Sequence, residues 1–165
     1  MVSDLDHVGR VMAQWHEARP DLDVSPQGVI GRLHRLAARL TEELVAVYGQ
    51  FGLGEGEFDV LATLRRAGAP YELAPGELAA WTMVSSGAVT KRVDRCVEQG
   101  WVTRRHSDRD ARGRVVALTD AGRELIDRAF EAHMANEHRL LATLGERQRA
   151  QLAHLLEVWG RALDA

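Results

Sequence analysis

The spacing of apolar residues changes character at Gly100, and that change constrains the fold more than any other feature of the chain. After it, Trp101-Val102-Thr103-Arg104 and Val115-Val116-Ala117-Leu118 read as short strands. They flank a polar, arginine-rich loop from His106 to Gly113, which makes the pair a β-hairpin with a charged tip. Before it the period is helical. Pro75 stands where a helix starts, Gly76 to Trp81 forms a short helix with Leu78 inward, and Thr82-Met83-Val84 is a tight connection. Ser85 or Ser86 then caps a longer helix running to Gln99, which Gly100 is suited to end. Helix, short turn, longer helix and hairpin is the order of a winged helix-turn-helix. The expected fold class is mainly α with a small β-hairpin wing.

The rest of the chain is helical scaffold. Val8, Val11, Met12 and Trp15 recur at helical spacing from His7 to Arg19, until Pro20 breaks the run. Behind Ser25-Pro26 comes a helix of more than twenty residues, ending near Gly49, with Val29, Ile30, Leu33, Leu36, Ala37, Leu40, Leu44 and Val47 on one stripe. Glu57 to Arg66 is a short helix with Phe58, Leu61 and Leu64 inward. Thr119 or Asp120 caps a long helix from Ala121 to about Leu144. A last helix follows Gly145 and carries Leu152, Leu155, Leu156 and Trp159. These long helices bear more apolar stripe than a small winged domain covers, so they are expected to pair with a second copy. The organisation is then one domain over 1–165, with dimerisation helices at about 7–50 and 121–165 and the winged region at about 55–120.

Charge is unevenly distributed. The chain totals −3, yet Lys91 to Arg114 holds eight bases against four acids, a local excess of +4. Phosphate responds to charge within a Debye length rather than to the total. One basic segment on an acidic body is the pattern of a protein that meets nucleic acid with one face. At about 100° per residue, Val89, Val93, Cys96 and Val97 fall on the inner face of the longer helix. Gly87, Lys91 and Glu98 lie opposite, bordered by Thr90, Asp94 and Arg95. Small and polar residues come first and long bases follow. That order suits a helix whose N-terminal end (Ser85, Ser86, Gly87, Thr90) enters the major groove while Lys91 or Arg95 reaches guanine or phosphate. On the hairpin, Arg104, Arg105, Arg109, Arg112 and Arg114 lie within eleven positions. An arginine at such a tip fits a narrow minor groove, and Asp110 is placed to orient Arg112. A two-fold dimer sets two such helices about one DNA turn apart, matching a palindromic operator in double-stranded DNA.

Several classes are set aside. No apolar run approaches the roughly 18–20 residues that span a bilayer, and the acidic N-terminus Met1-Val2-Ser3-Asp4-Leu5-Asp6 is unlike a signal peptide. The expected location is cytoplasmic. The single cysteine, Cys96, forms no internal disulfide and no cysteine-based zinc cage, and on the inner stripe it reads as a core thiol. Histidines 133 and 138 are five apart and share no helix face, so no metal is expected. Gly-x-Ser-x-Gly, P-loop and His-Glu-x-x-His motifs are absent, so neither catalytic residues nor a cofactor are assigned. A redox- or metal-responsive regulator of the same fold, or a protein-interaction module without DNA, are the alternatives.

The chain resembles MarR-family transcriptional regulators along nearly its whole length. The resemblance rests on Glu57-Phe58-Asp59-Val60-Leu61, on Pro75-Gly76-Glu77-Leu78-Ala79, and on the helix from Ser85 to Gly100. It rests also on the wing Asp110-Ala111-Arg112 leading into Val116-Ala117-Leu118-Thr119-Asp120-Ala121-Gly122. It implies a homodimer with interlocking terminal helices and repression relieved by a small ligand. The extra N-terminal helix is similar to that of the urate-responsive branch, where a tryptophan, an aspartate and two arginines are implicated in ligand binding. The matching positions are Trp15, Asp59, Arg92 and Arg104, while an asparagine of that branch falls near Arg66 or Ala67 and is unmatched. Close relatives respond to tricarboxylates such as citrate and trans-aconitate, and guanidinium groups suit any such anion. The expected ligand is therefore a small anionic metabolite, citrate/aconitate-like or urate-like. Each residue also has a plainer reading: dimer packing for Trp15, a structural ion pair for Asp59 with Arg92, and a phosphate contact for Arg104.

Overall fold

The computed structural model describes residues 5–82, 89–106 and 113–164. Ser85, Ser86, Gly87, Arg109, Asp110 and Arg112 lie outside the described residues. Among the described residues, seven helices and three strands follow in the order α1 (His7–Ala18), α2 (Gln27–Gly49), α3 (Glu55–Arg66), β1 (Glu72–Leu73), α4 (Pro75–Trp81), α5 (Val89–Glu98), β2 (Val102–His106), β3 (Arg114–Leu118), α6 (Asp120–Leu140) and α7 (Glu146–Leu163). They make two compact units, residues 1–46 and 47–165.

In the first unit, Asp6 caps α1 by accepting the Gly9 N–H at 2.8 Å. Arg32 of α2 grips the same carboxylate with Nε and Nη2, both at 2.9 Å. These bonds, led by the Arg32 guanidinium, hold the Asp6 carboxyl below the usual range. The apolar stripe of α2 is largely uncovered, with Val29, Ile30 and Leu36 all exposed. Trp15 is exposed as well.

The second unit is built around α3, whose residues Gly56 through Leu64 are all buried. It packs on α4, α5, α6 and β3. Val60, Leu61, Leu64, Leu78, Cys96, Ile126 and Ala129 have no exposure at all. Burying a leucine or isoleucine contributes roughly 1.5–3 kcal/mol, so this cluster supplies the main cohesion of the unit. Beside it, Tyr48 stacks on Phe58 at 4.0 Å, and its Oη lies 3.2 Å from His133 Nδ1. His133 Nε2 is 3.2 Å from the Glu137 carboxylate. Burial, aided by Glu137, pushes the Tyr48 hydroxyl up to about 12, so it stays protonated beside His133.

The sheet is antiparallel, in the order β1-β3-β2. β2 and β3 pair from Val102↔Leu118 to His106↔Arg114, which is the expected wing. β1 is an addition to the expected elements, pairing Glu72↔Ala117 and Leu73↔Val116. Two residues are too short to show a period, and the strand exists because β3 offers an edge. Leading into it, Tyr71 takes a positive φ of 62° and accepts the Leu118 N–H at 3.0 Å. Its ring carries the Arg65 guanidinium at 5.0 Å.

Local signals set the boundaries of the later helices. Gly100, with φ 73°, ends α5 in the left-handed conformation that favours glycine. Thr119 is the N-cap of α6, accepting the Gly122 N–H at 3.0 Å. α6 stops at Leu140 rather than near Leu144. α7 has no buried residue, and Leu152, Leu155 and Leu156 of its apolar stripe are exposed.

Candidate nucleic-acid interface

The sequence dictates how α4 begins. Pro75 occupies the first turn, where its missing N–H costs nothing, and the Glu77 carboxylate turns back to accept the Ala74 N–H at 2.9 Å. Leu78 anchors the helix in the core. α5 anchors through Val89, Val93 and Cys96, all buried. Val97, expected inward, is 38% exposed. The buried stripe centres between Val89 and Cys96, which leaves Val97 about 80° round the helix at about 100° per residue, on its margin. Thr90, Lys91, Arg95 and Glu98 face outward as expected.

Burial pushes the Cys96 thiol up to about 12, with the Glu57 charge adding to the effect. Its thiolate is scarce at neutral pH, and the side chain is fully buried. Both properties are those of an inert core thiol rather than a redox sensor. Among the described residues no group of three His, Cys, Asp or Glu is placed to hold a metal ion.

The basic residues divide into two groups. Lys91 and Arg114 are exposed. Arg95, Arg104 and Arg105 each meet an acid. Arg95 Nη1 donates to Glu57 Oε1 at 3.3 Å, with the carboxylate 11% exposed and the arginine 72%. Arg104 donates to Asp94 Oδ1 at 2.5 Å, and Arg105 to the Glu72 carboxylate of β1. Glu57 and Glu72 lie outside the segment from Lys91 to Arg114, so the field there is weaker than the local excess of +4 implies. The linear chain carries no signal of these partners, because each is brought in by tertiary packing.

Within the second unit, Arg92 and Arg104 of the expected ligand set stand apart. In the second unit, Arg92 of α5 lies across the first turn of α3. A Cβ at Gly56 would stand 2.4 Å from Arg92 Nε, so any larger residue there displaces the arginine side chain. Arg92 Nη1 is buried without a hydrogen-bond partner. Asp59 is buried one turn further along α3. Arg104 sits on the opposite side of α5, against Asp94 and the Thr90 carbonyl. There it lines a cleft of about 350 Å³ with Thr90, Val93, Arg114 and Val115. Trp15 belongs to the first unit.

The MarR-family profile matches residues 51–113. Over 149 residues the chain is 39% identical to the HTH-type transcriptional regulator PecS of Dickeya dadantii, covering 90% of each protein. This chain belongs to the MarR family. It is 29% identical over 130 residues to the multiple antibiotic resistance protein MarR of Escherichia coli, covering 78% of this chain and 88% of that protein. The crystal structure of a mutant E. coli MarR complexed with operator DNA superposes with a TM-score of 0.69 at 27% identity, over 82% of this chain and 97% of that one. Sco3205 of Streptomyces coelicolor, a MarR-family regulator solved in complex with DNA, shares the fold with a TM-score of 0.75 at 23% identity, over 86% and 93% of the two chains. The protein is thus a MarR-family DNA-binding transcriptional regulator of winged helix-turn-helix fold, and its relatives are regulators rather than enzymes. No helix among the described residues is long and apolar enough to cross a membrane.

Proposed function

We propose that this MarR-family protein is a cytoplasmic, homodimeric repressor that binds a palindromic operator and is released by a small anionic metabolite. The observation that carries the DNA half is α5 itself. Its inner face is fixed by Val89, Val93 and Cys96, which leaves Lys91 and Arg95 projecting beside the β2–β3 wing. In this reading Ser85, Ser86, Gly87 and Thr90 enter the major groove. Lys91 and Arg95 contact guanine or phosphate, with Glu57 fixing the direction of Arg95. Arg109, Arg112 and Arg114, with Asp110 as the orienting acid, serve the wing. The whole chain acts as one such domain, with about 7–50 and 121–165 for dimerisation and about 55–120 for DNA.

Support for the anion half comes from Arg92, a guanidinium with one buried, unpartnered nitrogen lodged where α5 meets α3. A ligand carboxylate supplies the missing acceptor, and any shift it imposes on α5 is felt at the DNA face. Asp59 is the nearby acid, Trp15 belongs to the same proposed set, and Arg104 joins it by exchanging Asp94 for the ligand. A carboxylate-rich anion such as citrate or trans-aconitate suits the two guanidinium groups, Arg92 and Arg104. Urate follows only from the resemblance and lacks its asparagine.

One gel-shift series on the DNA upstream of the gene tests both halves. Lys91→Ala is expected to weaken binding by about 1–3 kcal/mol, or roughly 5- to 150-fold, whatever the role of Arg92. Citrate, trans-aconitate and urate are then titrated into the wild-type complex and into Arg92→Ala. Release of the wild type that is lost in the variant is the expected outcome. If no anion releases the DNA, or Arg92→Ala responds as the wild type does, the anion site is wrong.

A further inference from the structure

Glu57 is a charged residue in the first turn of α3, and it is only 8% exposed. Its Oε2 folds back over the helix entry, where a Cβ at Gly54 would stand 2.5 Å away. Its Oε1 accepts from Arg95 Nη1 at 3.3 Å. A carboxylate enclosed in this way keeps one orientation.

Arg95 is its opposite. The side chain is 72% exposed, while the next residue along α5, Cys96, is fully buried and holds the backbone in place. An ion pair with one partner in solvent contributes little to stability, and a carboxylate stripped of water is costly. Cohesion therefore does not account for this pair, but direction does. An exposed arginine samples many rotamers, and selecting one costs affinity at every docking event. With Nη1 on Glu57, the fork formed by Nε and Nη2 is left for a second partner. Arg32 grips the Asp6 carboxylate with the same two nitrogens. Guanine offers a matching pair of acceptors, O6 and N7, in the major groove, whereas a phosphate accepts from any direction.

We infer that Glu57 is a positioning residue that turns Arg95 from a phosphate contact into a reader of guanine, an inference that rests on α5 being the helix that enters the groove. Lys91, one turn earlier, is exposed and carries a point charge suited to phosphate. Without the Glu57 carboxylate, the Arg95 guanidinium swings to the nearest phosphate. Discrimination is lost while general attraction to DNA is kept.

Binding to the duplex upstream of the gene and to a random duplex of equal length, at one salt concentration, tests this in the full chain. Glu57→Ala is expected to lower the ratio of the two affinities about tenfold. Its affinity for the random duplex rises, because an acid has left the basic face. Glu57→Gln keeps an acceptor for Nη1 and lowers the ratio by about threefold or less. Arg95→Ala lowers the ratio at least as far as Glu57→Ala, and the double variant goes no further than Arg95→Ala. In the upstream duplex, 7-deazaguanine lacks the N7 acceptor. Placed at each guanine in turn, it finds a position whose penalty in the wild type disappears in Arg95→Ala and shrinks in Glu57→Ala. Equal losses on both duplexes in Glu57→Ala mark damage to the fold and overturn the assignment, as do additive losses in the double variant. Lys91→Ala separates the two levels. If it binds both duplexes as the wild type does, α5 is not the DNA helix and the inference falls with it. If it weakens both while Glu57→Ala leaves the ratio unchanged, the role of Glu57 alone is overturned.

Discussion

Replacing Gly122 by alanine is expected to lower the melting temperature by roughly 5–10 °C, a loss of about 2–4 kcal/mol. A methyl group on this residue would stand 2.0 Å from the Trp101 carbonyl oxygen and 2.8 Å from its carbon. Both are backbone atoms, which no rotamer change moves aside. The carbonyl is also pinned, accepting the Thr119 N–H at 3.0 Å, while the Thr119 hydroxyl caps the helix at Gly122. Relief therefore requires the start of α6 to move away from the strand entry at Trp101, breaking the cap with it. Gly76→Ala is the control. Nothing lies within 4 Å of a methyl there, and the site is helical. Alanine should be neutral or stabilise by up to about 1 kcal/mol. Thermal melts at matched protein concentration compare the two, since dimerisation makes the midpoint concentration-dependent. Equal melting points for the two variants would contradict the packing at Gly122.

The second large effect lies on α7. Leu155→Asp is expected to convert the proposed dimer to monomers of 18.3 kDa while leaving far-ultraviolet circular dichroism unchanged. The helix buries nothing within its own chain, and Leu155 is 57% exposed, so the charge disturbs no internal packing. Placed in an interface between copies, the same carboxylate is stripped of water beside leucine, a heavy penalty. Two half-site contacts made by one molecule reinforce each other through effective concentration. Their separation should weaken operator binding about 100-fold or more. Sedimentation and gel shift read the two consequences independently. A variant that stays dimeric at micromolar concentration with wild-type affinity would remove α7 from the interface.

How far the sequence foretold this structure depends on the range over which each feature is decided. Helix positions were legible because their signals are local: Pro75 at a first turn, Gly100 at a left-handed stop, Thr119 at a cap. The exposed face of α5 followed from its periodicity, and only Val97, at the edge of the apolar arc, fell on the wrong side. β1 was not legible, because Glu72 and Leu73 become a strand only where Ala117 and Val116 meet them. The acid partners of Arg95 and Arg105 were hidden for the same reason, lying 38 and 33 residues away. Arg92, expected in the ligand set, rests on the first turn of α3. Its expected companion Arg104 is drawn to the other side of α5 by Asp94, a partner that spacing alone does not identify.

The strand that the sequence concealed has a mechanical consequence. A two-stranded hairpin standing alone pivots at its root, and a push on its tip is spent in swivelling. Here β3 is the middle strand, stitched on its far side to β1 and on to Tyr71, whose ring sits under the guanidinium groups of Arg65 and Arg123. Arg105 and Glu72 brace the two outer strands across it. The wing is thus a lever with its fulcrum in the body of the protein. A load on β2 and β3 is carried through β1 and Tyr71 to the ends of α3 and α6.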